Sequence, residues 1–229
     1  MELLNRRKII TLSAAAGLAI GAAVAADVAV GVGHQSPPKP PVVPKRPGVC
    51  RPSPPPKESA LVVYFSRSGQ NFPNLDLEVG NTAQVAGFIH DRMGGDIFQI
   101  VPSVPYPDSP EETKRIARRE LSEQIYPEYQ GAAPDVGGYG TIFLGYPIWC
   151  DDMPMIVQTF IRDNDLSSSQ IVPFVTYLGS HFGNSLQTLA AYYPETTLID
   201  GFERQGEDVF KDPENSRKAV GKWLERLGF

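Results

Sequence analysis

Residues 64–89 read YFSRSGQNFPNLDLEVGNTAQVAGFI. The stretch opens as a strand running into a turn of small residues, Ser66-Arg67-Ser68-Gly69, and closes as the first turn of a helix, Gly80-Asn81-Thr82-Ala83. A phosphate-gripping loop needs these parts: short hydroxyl and amide donors, glycines that admit the ligand to the backbone, and helix amides with the positive dipole end facing the anion. A compact loop would pass almost directly from Gly69 to Asn81, yet the eleven residues 70–80 stand between them. Either the cradle is an accident of composition, or one binding loop is split by an insertion.

Outward from this stretch, short apolar runs alternate with amphipathic ones. ALVVYF (60–65), DIFQIV (96–101), TIFLGY (141–146), QIVPFVTY (170–177) and TTLIDGF (196–202) are rich in β-branched and aromatic residues and bounded by Gly, Pro or Asp, so they read as strands. The near-continuous apolarity of ALVVYF and TIFLGY implies burial on both faces, as in a parallel sheet. Helices are predicted over 81–93, 110–126, 154–164, 183–193 and 213–227; Pro110, Pro154 and Pro213 suit first helical positions, and Gly94-Gly95 and Gly228 suit ends. This alternation predicts a three-layer α/β/α sandwich with a five-stranded parallel sheet. Strand order 2-1-3-4-5 is one of two common doubly wound arrangements, and in both the ligand sits beyond the carboxyl ends of the strands.

Three loops at that edge are unusual. The first is the split cradle. The second, FLGYPIWCDDMPM (143–155), places Trp149 in a tight loop between a buried strand and a Pro-started helix, where an aromatic serves as a platform for a ligand or partner or folds back over the helix. The third, TYLGSHFGNS (176–185), offers backbone amides in a Gly/Ser loop able to hydrogen-bond a flat polar ring. A phosphate grip, an aromatic platform and a polar rim together suit a phosphorylated planar heterocycle.

On these motifs the chain from about Ala60 to Phe229 resembles the flavodoxin-like FMN-binding family, in the branch marked by a Y-S-R-S-G-N-T loop. Its further marks are an F-L-G-Y-P-x-W-W-G-T-M-P-M segment and a P-F-C-T-H-G-G-S-G-x-G-x-S segment, against which this chain shows FLGYPIWCDDMPM and PFVTYLGSHFGNS. GGDIFQI at 94–100 also matches the branch. The resemblance implies a flavodoxin-like fold, FMN as cofactor, and a split cradle as a family variant with residues 70–80 as a flap. It implies cofactor contacts from Ser66, Arg67, Ser68, Gly69, Asn81 and Thr82 in the first loop. Pro147, Ile148, Trp149, Cys150, Asp151 and Met153 would contribute from the second, and Thr176, Tyr177, Gly179, Ser180 and Gly183 from the third. The chain departs from the branch in Cys150-Asp151-Asp152 and in Leu178 and His181. Two carboxylates beside the ring are expected to lower the flavin potential.

The remaining features bound the function. No Ser-His-Asp arrangement and no metal-ligand spacing stands out, and the cysteines are two, Cys50 and Cys150, which pair or stay free. Glu111-Glu112 and Lys114 to Arg119 read as a solvated helix face. His181 is the histidine placed to touch a ligand. Residues 58–229 hold 13 basic and 24 acidic residues, a formal charge of −11, which argues against nucleic acid and permits docking to basic partners.

Ahead of the domain, residues 1–30 combine basic MELLNRRK with the apolar IITLSAAAGLAIGAAVAA and small residues around Ala23-Val24-Ala25, the order of an export signal or membrane anchor. Arg6-Arg7 resembles a twin-arginine signal, with Asn5 and Ile9 departing from its usual residues. Residues 31–57 are a Pro-rich linker, stalk or spacer. The expectation is an exported or membrane-tethered flavoprotein, periplasmic or extracellular, exchanging electrons with a redox partner protein or a small quinone-like acceptor. The rival expectation is a flavodoxin-fold interaction module that has lost FMN.

Overall fold

The computed structural model describes residues 59–229. The export segment expected at 1–30, the linker at 31–57 and Cys50 lie outside the described residues. In chain order the elements are β1 (Ala60–Tyr64), β2 (Gly69–Asn71), β3 (Leu75–Leu77), α1 (Asn81–Met93), β4 (Asp96–Gln99), α2 (Pro110–Glu123), β5 (Thr141–Pro147), α3 (Met155–Asp163), β6 (Gln170–Tyr177), α4 (Ser185–Tyr192), β7 (Phe202–Gln205), α5 (Gly206–Lys211) and α6 (Pro213–Leu227). Five strands form one sheet in the order β4-β1-β5-β6-β7, all neighbours parallel. Counted along that sheet this is the order 2-1-3-4-5.

Strand periodicity sorts the core into two layers. Leu61, Val63, Ile142, Leu144, Ile171 and Val175 face one side and pack with Ile156, Phe160 and Leu189 from α3 and α4. Ala60, Val62, Phe143, Val172 and Phe174 face the other, against Val85 and Ile89 of α1, Val209 of α5, and Val220 and Trp223 of α6. Each of the valine, leucine, isoleucine and phenylalanine side chains among these, once buried, is worth about 1.5–3 kcal/mol relative to exposure. Double-sided burial is why β1 and β5 carry no polar alternation.

The helix ends follow local chemistry. Ser109 caps α2 by accepting from the Glu112 amide at 3.3 Å, with Pro110 in the first turn. Asp212 caps α6 through the Asn215 amide at 3.0 Å, and Gly228 ends it in the left-handed conformation. Gln124 turns left-handed, so α2 stops at Glu123, three residues short of expectation. Gly183 has φ +52°, outside the helical region, so α4 starts at Ser185.

The fifth strand corrects the sequence reading. The run 196–201 pairs with the sheet through the isolated bridge Ile171–Leu198, and β7 forms from the more polar FERQ instead. Phe202 is buried and the next residues alternate outward, the signature of an edge strand with one apolar anchor. The insertion at 70–80 also acquires structure: β2 and β3 pair antiparallel, Gly69 opposite Leu77 and Asn71 opposite Leu75, with both leucines buried.

Candidate functional site

The cradle closes by contact. Gly80, the N-cap of α1, lies so near the end of β1 that a Cβ there would sit 2.3 Å from Ser66 Oγ and 2.4 Å from the Arg67 carbonyl oxygen. The hairpin therefore leaves and re-enters the loop at one point, and only glycine fits the junction. Ser66 Oγ accepts from the Ala83 amide at 3.0 Å and joins the two halves of the split motif. No side chain of Gly80 caps α1 and no acidic residue occupies its first turn, unlike α2. The Asn81 and Thr82 amides head the helix without intrahelical acceptors. Asn81 Oδ1 is buried with no hydrogen-bond partner.

Around this point opens a cleft of about 360 Å³, within the roughly 300–1,000 Å³ typical of small-molecule and cofactor sites. Ser66, Arg67, Asn81 and Thr82 line it from the first loop; Pro147, Ile148, Trp149, Cys150 and Asp151 from the second; Thr176, Tyr177 and Ser180 from the third. The three loops are tied together. Thr82 Oγ1 and Thr176 Oγ1 are 2.7 Å apart, Ile148 donates its amide to Thr176 at 2.9 Å, and Asn184 donates to the Asp151 carbonyl at 2.7 Å. Ser180 Oγ donates to Asp151 Oδ1.

Trp149 is held edge-on. Its ring stands perpendicular to Phe65 and to Tyr106, with centroids 5.3 and 5.0 Å away, while it also lines the cleft. Platform and fold-back are thus both realised: one side packs on the core and another meets the cleft. Tyr106 is fixed in turn by donating to Glu120 Oε2 at 2.9 Å. Burial pushes the Glu120 carboxyl up, opposed by that hydrogen bond, and burial with Glu120 pushes the Tyr106 phenol far up. The loop turns at Cys150 and Asp151, both left-handed at φ +52° and +62°, with Trp149 and Asp152 exchanging backbone hydrogen bonds across them. Non-glycine residues in that region store strain of about 1–3 kcal/mol each, and such strain collects at ligand loops.

Several expected residues stand elsewhere. Met153 is 1% exposed and belongs to the core. Ser68 and Gly69 run into the hairpin, Gly179 lies exposed on the loop surface, and Gly183 packs its backbone on the Asp151 carbonyl; none of the four lines the cleft. His181 turns away too, stacking on Tyr177 and meeting Glu203 Oε1 at 2.8 Å. Of the two carboxylates expected beside the ring, Asp151 alone faces the cleft. Asp152 is 8% exposed and accepts from the Met153 amide at 2.7 Å and Thr188 Oγ1 at 2.8 Å, so it braces the loop against α4. Arg67 is occupied as well: it donates to the backbone carbonyls of Gln70, Pro107 and Asp108, clamping the hairpin to the segment before α2.

The cleft also recruits residues beyond the expected contacts. Phe72 and Leu77 come from the hairpin; Pro110, Thr113, Lys114, Ala117 and Arg118 come from α2; Gly206 and Glu207 come from α5. The α2 cations had read as a solvated face, and Arg119 is one, pairing with Glu123 at 3.1 Å. The usable signal was topological: α2 follows the second strand of the parallel sheet, so its first turns must also reach the carboxyl edge.

Comparison with known proteins agrees with this architecture. A flavodoxin family model matches residues 59–227. A candidate flavoprotein from Bacteroides eggerthii is 28% identical with a TM-score of 0.57, covering 75% of this chain and 98% of its own. A second, from Bacteroides uniformis, is 26% identical with a TM-score of 0.58, covering 73% and 97%. A flavoprotein from Lactobacillus acidophilus, solved in complex with FMN, shares the fold at 19% identity and a TM-score of 0.51, covering 68% and 99%. No curated protein matches the chain.

Two outcomes follow from the geometry. Gly80→Ala forces Ser66 and the Arg67 backbone apart, and chemical denaturation should show a loss of about 1–3 kcal/mol. Asp152 tests the bracing role through pH. Burial pushes its carboxyl up, opposed by the Thr188 and Met153 hydrogen bonds. A carboxyl raised on folding contributes most stability below its unfolded pKa and loses that contribution as pH rises through its folded pKa. Asp152→Asn keeps an acceptor for the Met153 amide and removes the charge. Its melting temperature should exceed the parent's at pH 7–8, and the gain should shrink toward pH 4.

Proposed function

The chain belongs to the flavodoxin family, and from that premise we propose that it holds FMN in the cleft and uses it to pass electrons to a small quinone-like acceptor outside the cytoplasm. The observation that carries the cofactor reading is the open cradle: a helix start with no acidic residue, whose Ala83 amide is met by Ser66 while the Asn81 and Thr82 amides ahead of it lack intrahelical acceptors, closed onto Ser66 through Gly80, beside a buried Asn81 amide oxygen that lacks a partner. A dianionic phosphate suits free helix amides and the positive dipole end. The Asn81 side chain offers an acceptor to a polyol hydroxyl or, with its amide turned over, a donor to an anion. The FMN held by the Lactobacillus acidophilus relative supports the same choice.

The residues present fit that cofactor. Ser66, Asn81 and Thr82 would hold the phosphate end; Trp149 and Tyr177 flank the space for a flat ring; Ser180 and Asp151 rim it. FMN, when bound, supplies reversible electron and hydride transfer. The protein's part is to bind and orient it. Trp149 resists displacement because Phe65 and Tyr106 pin it edge-on, and Asp151 puts one negative charge on the cleft wall. The export-signal pattern of residues 1–30 supports a site of action outside the cytoplasm.

Purification of the full-length chain without added flavin tests this first. A yellow protein that releases about one equivalent of FMN on denaturation supports the proposal, whereas a colourless protein that fails to take up added FMN leaves the interaction-module reading. In the loaded protein, Asp151→Asn removes the carboxylate of the Trp149 loop and leaves Glu207, which is paired with Lys211, as the other acid lining the cleft. Potentiometric titration should then show the potential rising by roughly 20–40 mV for a two-electron couple, equivalent to about 1–2 kcal/mol.

A further inference from the structure

We propose that the wall of the cleft built by the β2–β3 hairpin and α2 is a binding site for a planar aromatic anion, a ring system carrying a carboxylate or sulfonate. This names the acceptor class of the flavin reading and rests on that reading for its role, though not for binding itself.

Two cations carry the inference. Lys114 and Arg118 lie one turn apart on α2 and both line the cleft. Neither has a carboxylate within ion-pair distance among the described residues, whereas their neighbour Arg119 pairs with Glu123. Lys114 Nζ sits 5.6 Å from the centre of the Phe72 ring. Both cations line the cleft with Cys150, and although burial pushes that thiol up, Arg118 and then Lys114 pull it down.

The phosphate does not need them. The cradle at α1 has its own amides and dipole, and Lys114 and Arg118 stand on a different element, facing the platform loop. A domain of charge −11 would ordinarily repel a small anion. Two exposed cations without carboxylate partners on the wall of a cleft offset that locally, because the cleft's low-dielectric walls focus the field on whatever enters. The same cleft carries apolar surface suited to a ring: Phe72, Leu77, Pro110, Ala117 and Trp149. Phe72 remains 40% exposed at the hairpin tip, a large apolar ring with space beside it. The combination selects a flat ring by contact and an anionic substituent by charge. It also gives the insertion a purpose: without residues 70–80 the cleft would lack Phe72 and Leu77.

Isothermal titration of the full-length chain, with and without FMN, tests this using anthraquinone-2-sulfonate and its neutral counterpart anthraquinone-2-sulfonamide. The parent should prefer the sulfonate by about tenfold or more, the worth of a charged hydrogen bond. K114Q/R118Q should abolish the preference, and R115Q/R119Q, with the same charge change on the same helix, should retain it. Absence of preference in the parent overturns the proposal, as does its persistence in K114Q/R118Q. Equal loss in both variants overturns it too, since that would reflect net charge alone. A fall of FMN content in K114Q/R118Q with the sulfonate preference intact would assign the cations to the flavin and likewise overturn it. Sulfonate preference in a chain that refuses FMN would sink the flavin reading while leaving this site standing.

Discussion

The junction at Gly80 is the constraint on which the rest of the molecule depends. α1 is anchored to the sheet by Val85, Ala86 and Ile89, all fully buried, so the place of its first turn relative to β1 is decided by the core. An insertion between β1 and α1 is tolerated only if it begins and ends at that place. A two-stranded hairpin does this by construction, since Gly69 pairs with Leu77 and returns the chain to its start. A hairpin alone is marginal in water. This one is held by buried Leu75 and Leu77 and by the Arg67 clamp on Pro107 and Asp108.

The same sheet decides where chemistry can occur. Parallel strands deliver the loops after β1, β5 and β6 to one edge, and those loops then bond to one another rather than hang free. Thr82 to Thr176, Ile148 to Thr176, Asn184 to Asp151 and Ser180 to Asp151 form a lattice across them. Each such hydrogen bond contributes only about 0.5–1.5 kcal/mol net. Their collective effect is preorganisation, which reduces the ordering cost a ligand must meet. The left-handed turn at Cys150-Asp151 is the strained part of that lattice, and Asp152 opposes the strain by locking the turn to Met153 and Thr188.

What the sequence made legible tracks how local the cause was. Strands β1, β5 and β6 announced themselves because burial on both faces leaves a continuous apolar run, and α2 and α6 because Pro110 and Pro213 mark their starts. β7 was misplaced because an edge strand needs only one apolar anchor, so FERQ looked less like a strand than TTLIDGF did. In the site, contiguous motifs predicted the cleft-lining Ser66, Asn81, Thr82, Trp149, Asp151, Thr176 and Tyr177. Side-chain direction did not follow from them: Asp151 and Asp152 are adjacent, yet a reversed turn sends one to the cleft and the other to α4. Lys114 and Arg118 were hidden for another reason. A charged helix face looks solvated from sequence, and only the tertiary placement of α2 shows that two of its exposed cations border the cleft.

Two helix starts face the same cleft, and the chain treats them in opposite ways. α2 begins with Ser109 as cap and Glu111 and Glu112 in its first turn, so its Glu112 amide is served and its dipole is offset by nearby negative charge. α1 begins with Gly80, carries no acid in its first turn, and leaves a buried amide oxygen beside it without a partner. A doubly charged anion entering the cleft is therefore drawn to α1 and discouraged from the α2 terminus, although Pro110 and Thr113 of α2 line the same space. The cations of α2 stand one and two turns further along, past its neutralised end, where they can meet a second anionic group without competing for the first. Orientation within the cleft is thus built into the capping chemistry of two helices, before any contact to a ring is made.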